Sequence, residues 1–292
     1  MPLWSEIADS IANVAGQPFV MAERRPVGGG CINAAYRVDG GGRTFFVKTN
    51  APGNHDMFAA EAAGLQEIAR SGTVRVPQPI CDGRNDEAGW LVLEYVTFGS
   101  RRNDRALGAQ LAAMHGVTAE KFGWKRDNAI GATPQINTWS DDWLEFWRHH
   151  RLGFQLQLAA KNNAPRRLLS QGERLLADCA PLIAEHEAMP SLLHGDLWGG
   201  NAGFDDLGNP VLFDPAVYYG DREADLAMTE LFGGFGGDFY AAYDAAYPRA
   251  TGYPVRRTFY NLYHILNHFN LFGGGYAQQA AAMIEELLAE LR

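Results

Sequence analysis

The pattern of apolar residues changes once along this chain, near residue 103, and that change restricts the folds open to it. Before this point residues 19–49 alternate as strands do, and the run 89–96 is typical of a buried strand. A helix is predicted over residues 55–70, because Ser and Gly follow its periodic pattern directly. After residue 103 the spacing is mostly helical, apart from a strand-like island over residues 191–218. The sequence therefore predicts strands first and helices afterwards.

The order of these elements predicts an α+β protein with two lobes. We expect a small β-rich lobe over residues 1–96 and a larger, mainly helical lobe over residues 97–292, with the junction near residues 94–100. No Ser-rich or Gly-rich linker lies between them, so we expect the two lobes to pack together around a cleft. The small lobe begins with an amphipathic helix, whose apolar face is formed by Leu3, Ile7, Ile11 and Val14.

Composition and charge exclude several kinds of partner. The chain has 25 Lys and Arg against 34 Asp and Glu, so no nucleic-acid partner is expected, because nucleic acids bind basic faces. The longest strongly apolar run, residues 89–96, is far below the roughly 20 residues that span a bilayer, so no membrane partner is expected. The three cysteines form neither a disulfide framework nor a zinc pattern, and no signal peptide is recognisable. We therefore expect a cytoplasmic protein.

The residues that indicate chemistry are concentrated in the strand-like island. A Gly-rich loop carries Asp196 and Asn201 five residues apart, and after one hairpin turn the segment Phe213-Asp214-Pro215 supplies a second carboxylate. Carboxylate and amide oxygens are the ligands that hold Mg²⁺ together with substrate phosphates. In phosphoryl transfer one Asp accepts the proton of the attacking hydroxyl, while an Asn and a second Asp hold the metal. The spacing therefore predicts an ATP-dependent kinase that uses Mg²⁺.

The β-rich lobe supplies candidate groups for binding the nucleotide. Lys48 ends a predicted strand, and Glu61 follows thirteen residues later in the next helix, where the two side chains can pair as a kinase Lys and Glu do. A lysine at a strand end is otherwise usually a solvated edge residue. A Gly-rich turn between two strands, where backbone amides can approach a phosphate, contains Gly28, Gly29, Gly30, Cys31, Ile32 and Asn33. The position of a kinase hinge, whose backbone binds adenine, is occupied by Glu94, Tyr95 and Val96.

At this level of detail the sequence resembles the fructosamine kinase (ketosamine 3-kinase) family. The resemblance is carried by LLHGDLWGGNAGF and FDPAVYYGDREADLAM, and the GGGCIN turn is also similar to that family. The Trp after HGDL and the segment FDPAVYYGDRE separate the family from aminoglycoside and choline kinases, which share the wider fold. The resemblance covers essentially the whole chain and is densest over residues 27–48 and 191–228. It implies a bilobal protein-kinase-like fold with ATP and Mg²⁺ between the lobes.

The resemblance also implies a role for each matching residue. Asp196 becomes the catalytic base, with Asn201 and Asp214 as the Mg²⁺ ligands. Lys48 becomes the lysine that binds the α- and β-phosphates, and Glu61 becomes its partner. His194 and Asp225 are implied to support the catalytic loop through backbone hydrogen bonds. Trp198 is implied to shape the sugar site, although a loop Trp is as often a lobe-packing residue.

The activity implied by the family is phosphorylation of the 3-hydroxyl of a ketose joined to an amine, which destabilises the adduct and so serves protein deglycation. We expect ribulosamines and erythrulosamines ahead of fructosamines, as small molecules or as adducts on protein. Only about eleven residues separate Asp214 from Asp225, too few for a regulatory activation segment. One alternative is another small-molecule hydroxyl kinase of the aminoglycoside, choline or homoserine type. Another is a non-catalytic nucleotide-binding scaffold.

Two further features leave alternatives open. Cys31 lies in the predicted phosphate loop and is either a semi-buried thiol without a role or a redox switch, so the expected state is a monomer or a Cys31-linked dimer. His264 and His268 lie four residues apart, on one face of a predicted helix. A zinc hydrolase uses such a pair together with a Glu, but no Glu lies between them, so helix packing is the favoured interpretation.

Overall fold

In the computed structural model, residues 2–28 and 32–292 are described. The helices of this part are α1 (Leu3–Ala15), α2 (His55–Ser71), α3 (Asp104–His115), α4 (Trp143–Trp147), α5 (Gly153–Lys161), α6 (Arg166–Asp178), α7 (Glu223–Leu231), α8 (Gly237–Ala246), α9 (Tyr253–Phe272) and α10 (Tyr276–Glu290). Its strands are β1 (Glu23–Val27), β2 (Ala34–Gly40), β3 (Arg43–Asn50), β4 (Pro79–Arg84), β5 (Gly89–Glu94), β6 (Asn128–Ile130), β7 (Thr133–Gln135), β8 (Ser191–Leu193), β9 (Ala202–Phe204), β10 (Pro210–Leu212) and β11 (Tyr218–Gly220). A π-helical turn (Arg148–Leu152) joins α4 to α5, and short 3₁₀ turns cover Pro52–Asn54, Ala180–Leu182 and Gly199–Asn201.

The chain divides into two compact units. One unit, here called the sheet unit, comprises Met1–Asn103 and Ala202–Pro215, and the other, the helical unit, comprises Asp104–Asn201 and Ala216–Arg292. The sheet unit therefore contains the β9–β10 hairpin, which the sequence interpretation assigned to the helical lobe. The reason is local pairing, since the hairpin forms β-bridges with chain segments of the sheet unit outside its own strands.

The sheet unit is built on one antiparallel sheet with the strand order β1-β2-β3-β5-β4. One face of the sheet packs against α1, whose Ile7 and Ile11 are fully buried. The predicted apolar face of α1 is wrong at its last turn, because Val14 is 61% exposed. The chain reverses after Gly16, which adopts a left-handed conformation, and Phe19 completes the apolar cluster in place of Val14.

Two of the predicted nucleotide-binding residues, Lys48 and Glu61, lie in β3 and in the helix that follows it. Lys48 lies near the end of β3, between Ala35 of β2 and Leu91 of β5, and is nearly buried. Helix α2 carries Glu61 and ends at Gly72, whose φ of +66° is the left-handed conformation that glycine adopts at helix ends. The helix predicted over residues 55–70 is therefore present, with one more residue at its end.

The helical unit consists largely of helices that pack in pairs. The pairs are α3 with α8, α7 with α9, α9 with α10 and α10 with α6. A two-stranded ladder pairs Ser191 of β8 with Gly220 of β11, and Leu193 with Tyr218. This ladder holds the segment that begins at His194, directly after β8. None of the helices in the described part of the chain is long and apolar enough to cross a bilayer.

Candidate active site

The loop that follows β8 is held against the segment that precedes β11. The backbone N–H of Ala216 donates to the carbonyl of His194 at 2.8 Å. Gly195 adopts φ +82°, and a Cβ atom at this position would lie only 2.0 Å from the Ala216 carbonyl oxygen. Because no larger residue fits this approach, the glycine before Asp196 is required by packing as well as by its backbone conformation.

Asp225, in the first turn of α7, fixes the start of this loop. Its carboxylate accepts the backbone N–H of His194 at 2.7 Å and that of Gly195 at 2.8 Å. The side chain is 2% exposed, so both hydrogen bonds are shielded from water. The family resemblance implied that Asp225 supports the loop through backbone hydrogen bonds, and both hydrogen bonds are present in the helical unit. Their role in catalysis stays a proposal.

His115, the last residue of α3, is a third member of this support and was missed by sequence reasoning. Its Nε2 lies 3.2 Å from an Asp225 carboxylate oxygen, and its Nδ1 lies 2.7 Å from the Tyr243 hydroxyl. Burial alone would raise the pKa of the Asp225 carboxyl, but the hydrogen bond and charge of His115, with smaller contributions from His194 and the Gly195 N–H, hold it below the usual value. The signal was a histidine four residues after Leu111 on the apolar stripe of a Leu- and Ala-rich helix.

Asp196 and Asn201 are brought together by the loop. The Asn201 side-chain amide donates to the Asp196 carbonyl at 2.8 Å and to its carboxylate at 3.2 Å. Asn201 closes the short Gly199–Asn201 turn and is 6% exposed, so it orients the Asp196 carboxylate from a fixed position. Since its nitrogen is the donor, the Oδ1 atom of Asn201 is the one able to bind a cation.

An aromatic strip begins beside Asp196 and consists of Trp198, Phe232, His268 and Phe272. Trp198 is 39% exposed, and its indole lies over Gly200, where a Cβ atom would approach the ring to 2.3 Å. Successive ring centroids along the strip are 6.4, 4.7 and 5.6 Å apart. The strip therefore offers partly exposed ring faces, beginning two residues after Asp196.

The two histidines of α9 do not form a metal pair. His264 is buried, and burial, with the neighbouring His268, lowers its pKa to about 3, so its ring stays neutral. The His268 Nδ1 donates to the His264 carbonyl at 2.8 Å. Helix packing accounts for both rings.

One cluster in the described part of the chain, His186, Asp221 and Glu223, is compact enough to bind a metal ion. Its Glu223 carboxylate is already paired with the Arg256 guanidinium at 2.7 Å, which makes a cation there unfavourable. The sequence-derived candidates for metal binding lie elsewhere.

In the sheet unit, Lys48 forms two short ion pairs. Its Nζ lies 2.6 Å from Glu61 Oε1 and 2.6 Å from Asp214 Oδ1. Burial alone would lower the pKa of the Lys48 ammonium, but the two carboxylates more than offset it and raise that pKa, so the lysine is charged. The side chains of Lys48 and Glu61 are 6% and 11% exposed, whereas that of Asp214 is 46% exposed. Lys48 and Glu61 are therefore shielded from solvent, whereas the Asp214 carboxylate is accessible to it.

Asp214 has a strained backbone. Its φ is +56°, a left-handed conformation that costs energy for residues other than glycine and that Asp and Asn tolerate best. The preceding Phe213 packs its ring against Phe98 at 5.4 Å, which helps to hold the segment in place. Such conformations persist where the surroundings impose them, and they are concentrated at functional sites.

The predicted phosphate loop is described only at its two ends. Gly29, Gly30 and Cys31 lie outside the described residues. The redox switch and the dimer linked through Cys31 therefore stay predictions. At the exit of the loop, the Asn50 side chain donates to the Asn33 side-chain oxygen at 2.7 Å and to the Ile32 carbonyl at 3.2 Å. Sequence reasoning missed Asn50, which anchors the loop to the end of β3.

The predicted hinge follows the inner strand β5. The Glu94 carboxylate binds Arg75 and the Gln78 backbone N–H, and the Tyr95 ring lies 4.9 Å below the Arg37 guanidinium. Val96 is buried. The Glu94 and Tyr95 side chains are therefore occupied by contacts within the sheet unit, and adenine binding by the backbone of this segment stays a prediction.

The residues fit the nucleotide and metal that the sequence predicted. Asp214 in the sheet unit and Asn201 in the helical unit each offer a hard oxygen of the type that Mg²⁺ prefers. The Lys48 ammonium is a buried cation suited to phosphate oxygens. Each of the two units thus contains a part of the predicted donor set.

The comparisons with known proteins define the class. The fructosamine kinase family model matches residues 3–290. A probable ketoamine kinase from Synechocystis is 48% identical over 98% of this chain and 97% of its own length. A chloroplastic protein-ribulosamine 3-kinase from Arabidopsis thaliana is 46% identical over 91% of this chain and 82% of its own length. The chain belongs to the fructosamine kinase family, as its motifs predicted.

Solved structures confirm the fold. A putative fructosamine-3-kinase from Haemophilus somnus superposes with a TM-score of 0.90 at 27% identity, covering 98% of this chain and 97% of that one. An aminoglycoside phosphotransferase gives a TM-score of 0.60 at 14% identity, covering 96% of this chain and 98% of that one, which shows a shared fold alone. The predicted α+β, protein-kinase-like fold is therefore confirmed.

Proposed function

We propose that this chain is an ATP-dependent kinase that phosphorylates the 3-hydroxyl of ketosamines and thereby acts in deglycation. The observation that carries the proposal is the loop in which Asn201 orients the Asp196 carboxylate and Asp225 fixes the backbone. Membership of the fructosamine kinase family and the names of the relatives support the same reaction. The presence of Lys48 in the same chain as these residues argues against a scaffold without turnover.

Asp196 is the proposed catalytic base. As the 3-hydroxyl oxygen of the ketosamine attacks the γ-phosphoryl group of ATP, its proton passes to the Asp196 carboxylate. Asn201 holds that carboxylate in place through the 3.2 Å hydrogen bond. Asp225 does not exchange protons, because its carboxylate is buried and accepts the N–H groups of the loop.

Lys48 is proposed to bind the α- and β-phosphates, with Glu61 keeping its ammonium in position. Asp214 and Asn201 would hold Mg²⁺, which neutralises negative charge on the phosphates when it is bound. Gly28 to Asn33 would approach the phosphates through backbone amides, and the backbone from Glu94 to Val96 would bind adenine. The 46% exposure of Asp214 is consistent with a carboxylate that changes partners when the nucleotide arrives.

The aromatic strip supports a sugar adduct as the acceptor. Trp198 presents its indole two residues after the base, where a sugar ring or chain can pack its C–H groups on the ring face. We propose ribulosamines and erythrulosamines as the preferred substrates, on a small amine or on protein lysine, in the cytoplasm. A 3-phosphate on such an adduct is a good leaving group. Its elimination after enolisation toward the amine-bearing carbon leaves an imine, and hydrolysis of that imine by water frees the amine.

The test is ATP consumption by the purified protein with Mg²⁺ against ribulose-lysine, fructose-lysine, choline and an aminoglycoside. Turnover restricted to the two ketosamines is expected, with ribulose-lysine ahead. The control is Asp196→Asn, which should lower kcat by about 10²–10⁴-fold, the usual contribution of a general base, while Mg-ATP binding persists. Turnover of choline or the aminoglycoside alone would contradict the substrate assignment, and full activity of Asp196→Asn would contradict the base.

A further inference from the structure

The β9–β10 hairpin, which ends two residues before Asp214, is attached to the sheet unit along both of its sides. The Leu212 N–H donates to the Arg75 carbonyl at 2.9 Å, and the Gly99 N–H donates to the Phe204 carbonyl at 3.0 Å. Glycine favours this close approach, since a Cβ atom at position 99 would lie 3.0 Å from the Asp205 carbonyl oxygen, which is tighter than an ordinary contact. The position of Asp214 therefore depends on how the hairpin is held.

The Arg75 side chain crosses from this hairpin to the hinge strand. Its Nη1 donates to Asp205 Oδ2 at 2.6 Å, and its Nη2 donates to Glu94 Oε1 at 2.6 Å. Asp205 lies in the turn of the hairpin, and Glu94 is the last residue of β5, where the predicted hinge begins. One guanidinium thus connects the segment that presents Asp214 with the segment proposed to bind adenine.

Both carboxylates are fixed before Arg75 binds them. Asp205 accepts the backbone N–H groups of Leu207 and Asn209 at 3.0 and 2.8 Å, and its side chain is 4% exposed. The second oxygen of Glu94 accepts the Gln78 N–H at 3.2 Å. Because neither acceptor is free to swing, the guanidinium links two rigid segments instead of two mobile side chains, which distinguishes this contact from an ordinary surface ion pair.

We propose that Arg75 is a positioning residue for the nucleotide. It keeps the hinge strand and the Asp214 hairpin in one geometry, so that the adenine end and the metal-binding end of Mg-ATP meet groups at a fixed separation. The planar fork of arginine is needed, since one group must donate in two directions at once and the compact ammonium of lysine cannot span both acceptors. Arg75 touches no substrate and acts through Glu94 and Asp205. This inference rests on the nucleotide-binding part of the proposed function.

The test measures Mg-ATP binding by calorimetry without acceptor, so that it does not depend on the ketosamine assignment. Arg75→Gln is expected to weaken Mg-ATP binding by about 10- to 100-fold, the usual cost of losing an outer residue that orients a metal ligand. In turnover assays the KM for ATP should rise while the KM for the ketosamine changes less than about twofold. Arg75→Lys should restore only part of the loss.

The matched control is Arg249→Gln in the helical unit. Arg249 also binds two carboxylates, those of Asp244 at 2.6 Å and Glu230 at 3.3 Å, and has a similar partly exposed side chain. Arg249→Gln should leave the Mg-ATP affinity unchanged, even if Arg249→Gln and Arg75→Gln lower the melting temperature equally.

A second variant, Asp205→Asn, separates positioning from general destabilisation. With Arg75→Gln already present it should add little to the loss of affinity, because the two residues act through one contact. Wild-type Mg-ATP affinity in Arg75→Gln, or an equal loss in Arg249→Gln, would overturn the inference. Normal Mg-ATP binding by the wild type without ketosamine turnover would instead defeat the substrate assignment and leave the role of Arg75 standing. A wild type that binds no Mg-ATP would overturn both.

Discussion

Asp214 in the sheet unit and Asp225 in the helical unit are both carboxylates of the proposed kinase machinery, yet their surroundings are opposite. Asp225 is 2% exposed and accepts two backbone N–H groups and a histidine. Asp214 is 46% exposed, binds the Lys48 ammonium at 2.6 Å, and has a strained backbone. The Asp225 carboxylate is fully used by contacts within the protein, whereas the Asp214 carboxylate keeps an exposed surface for a ligand. Loss of Asp225 should therefore act on folding, and loss of Asp214 should act on turnover.

The largest effect is expected for Asp225→Asn. The new amide brings N–H donors toward backbone N–H donors and leaves buried groups unpaired, which typically costs about 3–5 kcal/mol when one partner of a buried charged network is removed. Urea unfolding measures the loss. A variant with wild-type stability but reduced turnover would show that Asp225, like Asp214, acts on turnover and not on folding, which would contradict the contrast between the two residues.

Asp214→Asn should show the reverse pattern. Asn has nearly the same size and tolerates a positive φ, so the fold is preserved, while the charge that attracts the metal is lost. We expect kcat/KM to fall by about 10²–10³-fold, the scale for losing one preorganised electrostatic contact. Steady-state kinetics beside a thermal melt tests this. A large drop in melting temperature would instead show that Asp214 is structural.

Trp198→Leu tests the proposed contact between the Trp198 indole and the sugar. Loss of a ring face of this kind is worth about 0.5–1.5 kcal/mol, so the KM for the ketosamine should rise by about 2- to 12-fold. The KM for ATP should not change, and this unequal response is the readout. Phe232→Leu, which alters the strip one ring further from Asp196, serves as the control and should have a smaller effect. Equal changes in both KM values would indicate that Trp198 supports packing in place of sugar binding.

The effect expected for His264 is absent at neutral pH and appears only in acid, and it reports on the closed interior around Asp225. The pKa of His264 is lowered by burial to about 3, against about 6.5 in the unfolded chain, so the unfolded state binds more protons between these values. Stability is therefore full above about pH 6.5 and falls as the pH decreases, by up to about 1.4 kcal/mol per pH unit. His264→Gln should flatten this slope between pH 6.5 and 4.5 in urea unfolding experiments.

Asp225 also contributes to acid sensitivity, and its sign is the same. Its pKa lies below the usual value for Asp, so its contribution is present above about pH 4 and is lost only as the pH falls further. The interval above pH 4.5 therefore excludes the Asp225 contribution, and the difference between the wild type and His264→Gln there reports on the His264 ring. An unchanged slope in His264→Gln over that interval would mean that water reaches the ring.

Much of the fold and the catalytic loop was predictable because the information is local. Asp196, Asn201 and Gly195 lie in one short motif, and helix α2 ends at a glycine that the sequence shows directly. The pairing of Lys48 with Glu61 was predictable for the same reason, since Lys48 lies near the end of β3 and Glu61 lies thirteen residues later in the next helix, α2.

Two of the residues that sequence reasoning missed, His115 and Arg75, act over long separations. His115 meets Asp225 across 110 residues, and Arg75 meets Asp205 across 130. A single arginine or histidine has no period and no spacing that points to such a partner, and the partner is chosen only when the tertiary structure forms. The same reason applies to residues 202–215, which belong to the sheet unit and are held there by hydrogen bonds with Arg75 and Gly99.

The division of the chain has a consequence for how the protein is made. The chain passes between the two units at residues 103, 201 and 215, so the sheet unit is not continuous in sequence. On the ribosome its five strands emerge early, but the hairpin and Asp214 follow only after another hundred residues of the helical unit. Until then Lys48 lacks one of the two carboxylates that keep a buried ammonium charged. Synthesis from the N-terminus therefore completes the sheet unit late, and release of an N-terminal fragment of 103 residues would leave the hairpin-binding edge at Arg75 and Gly99 uncovered.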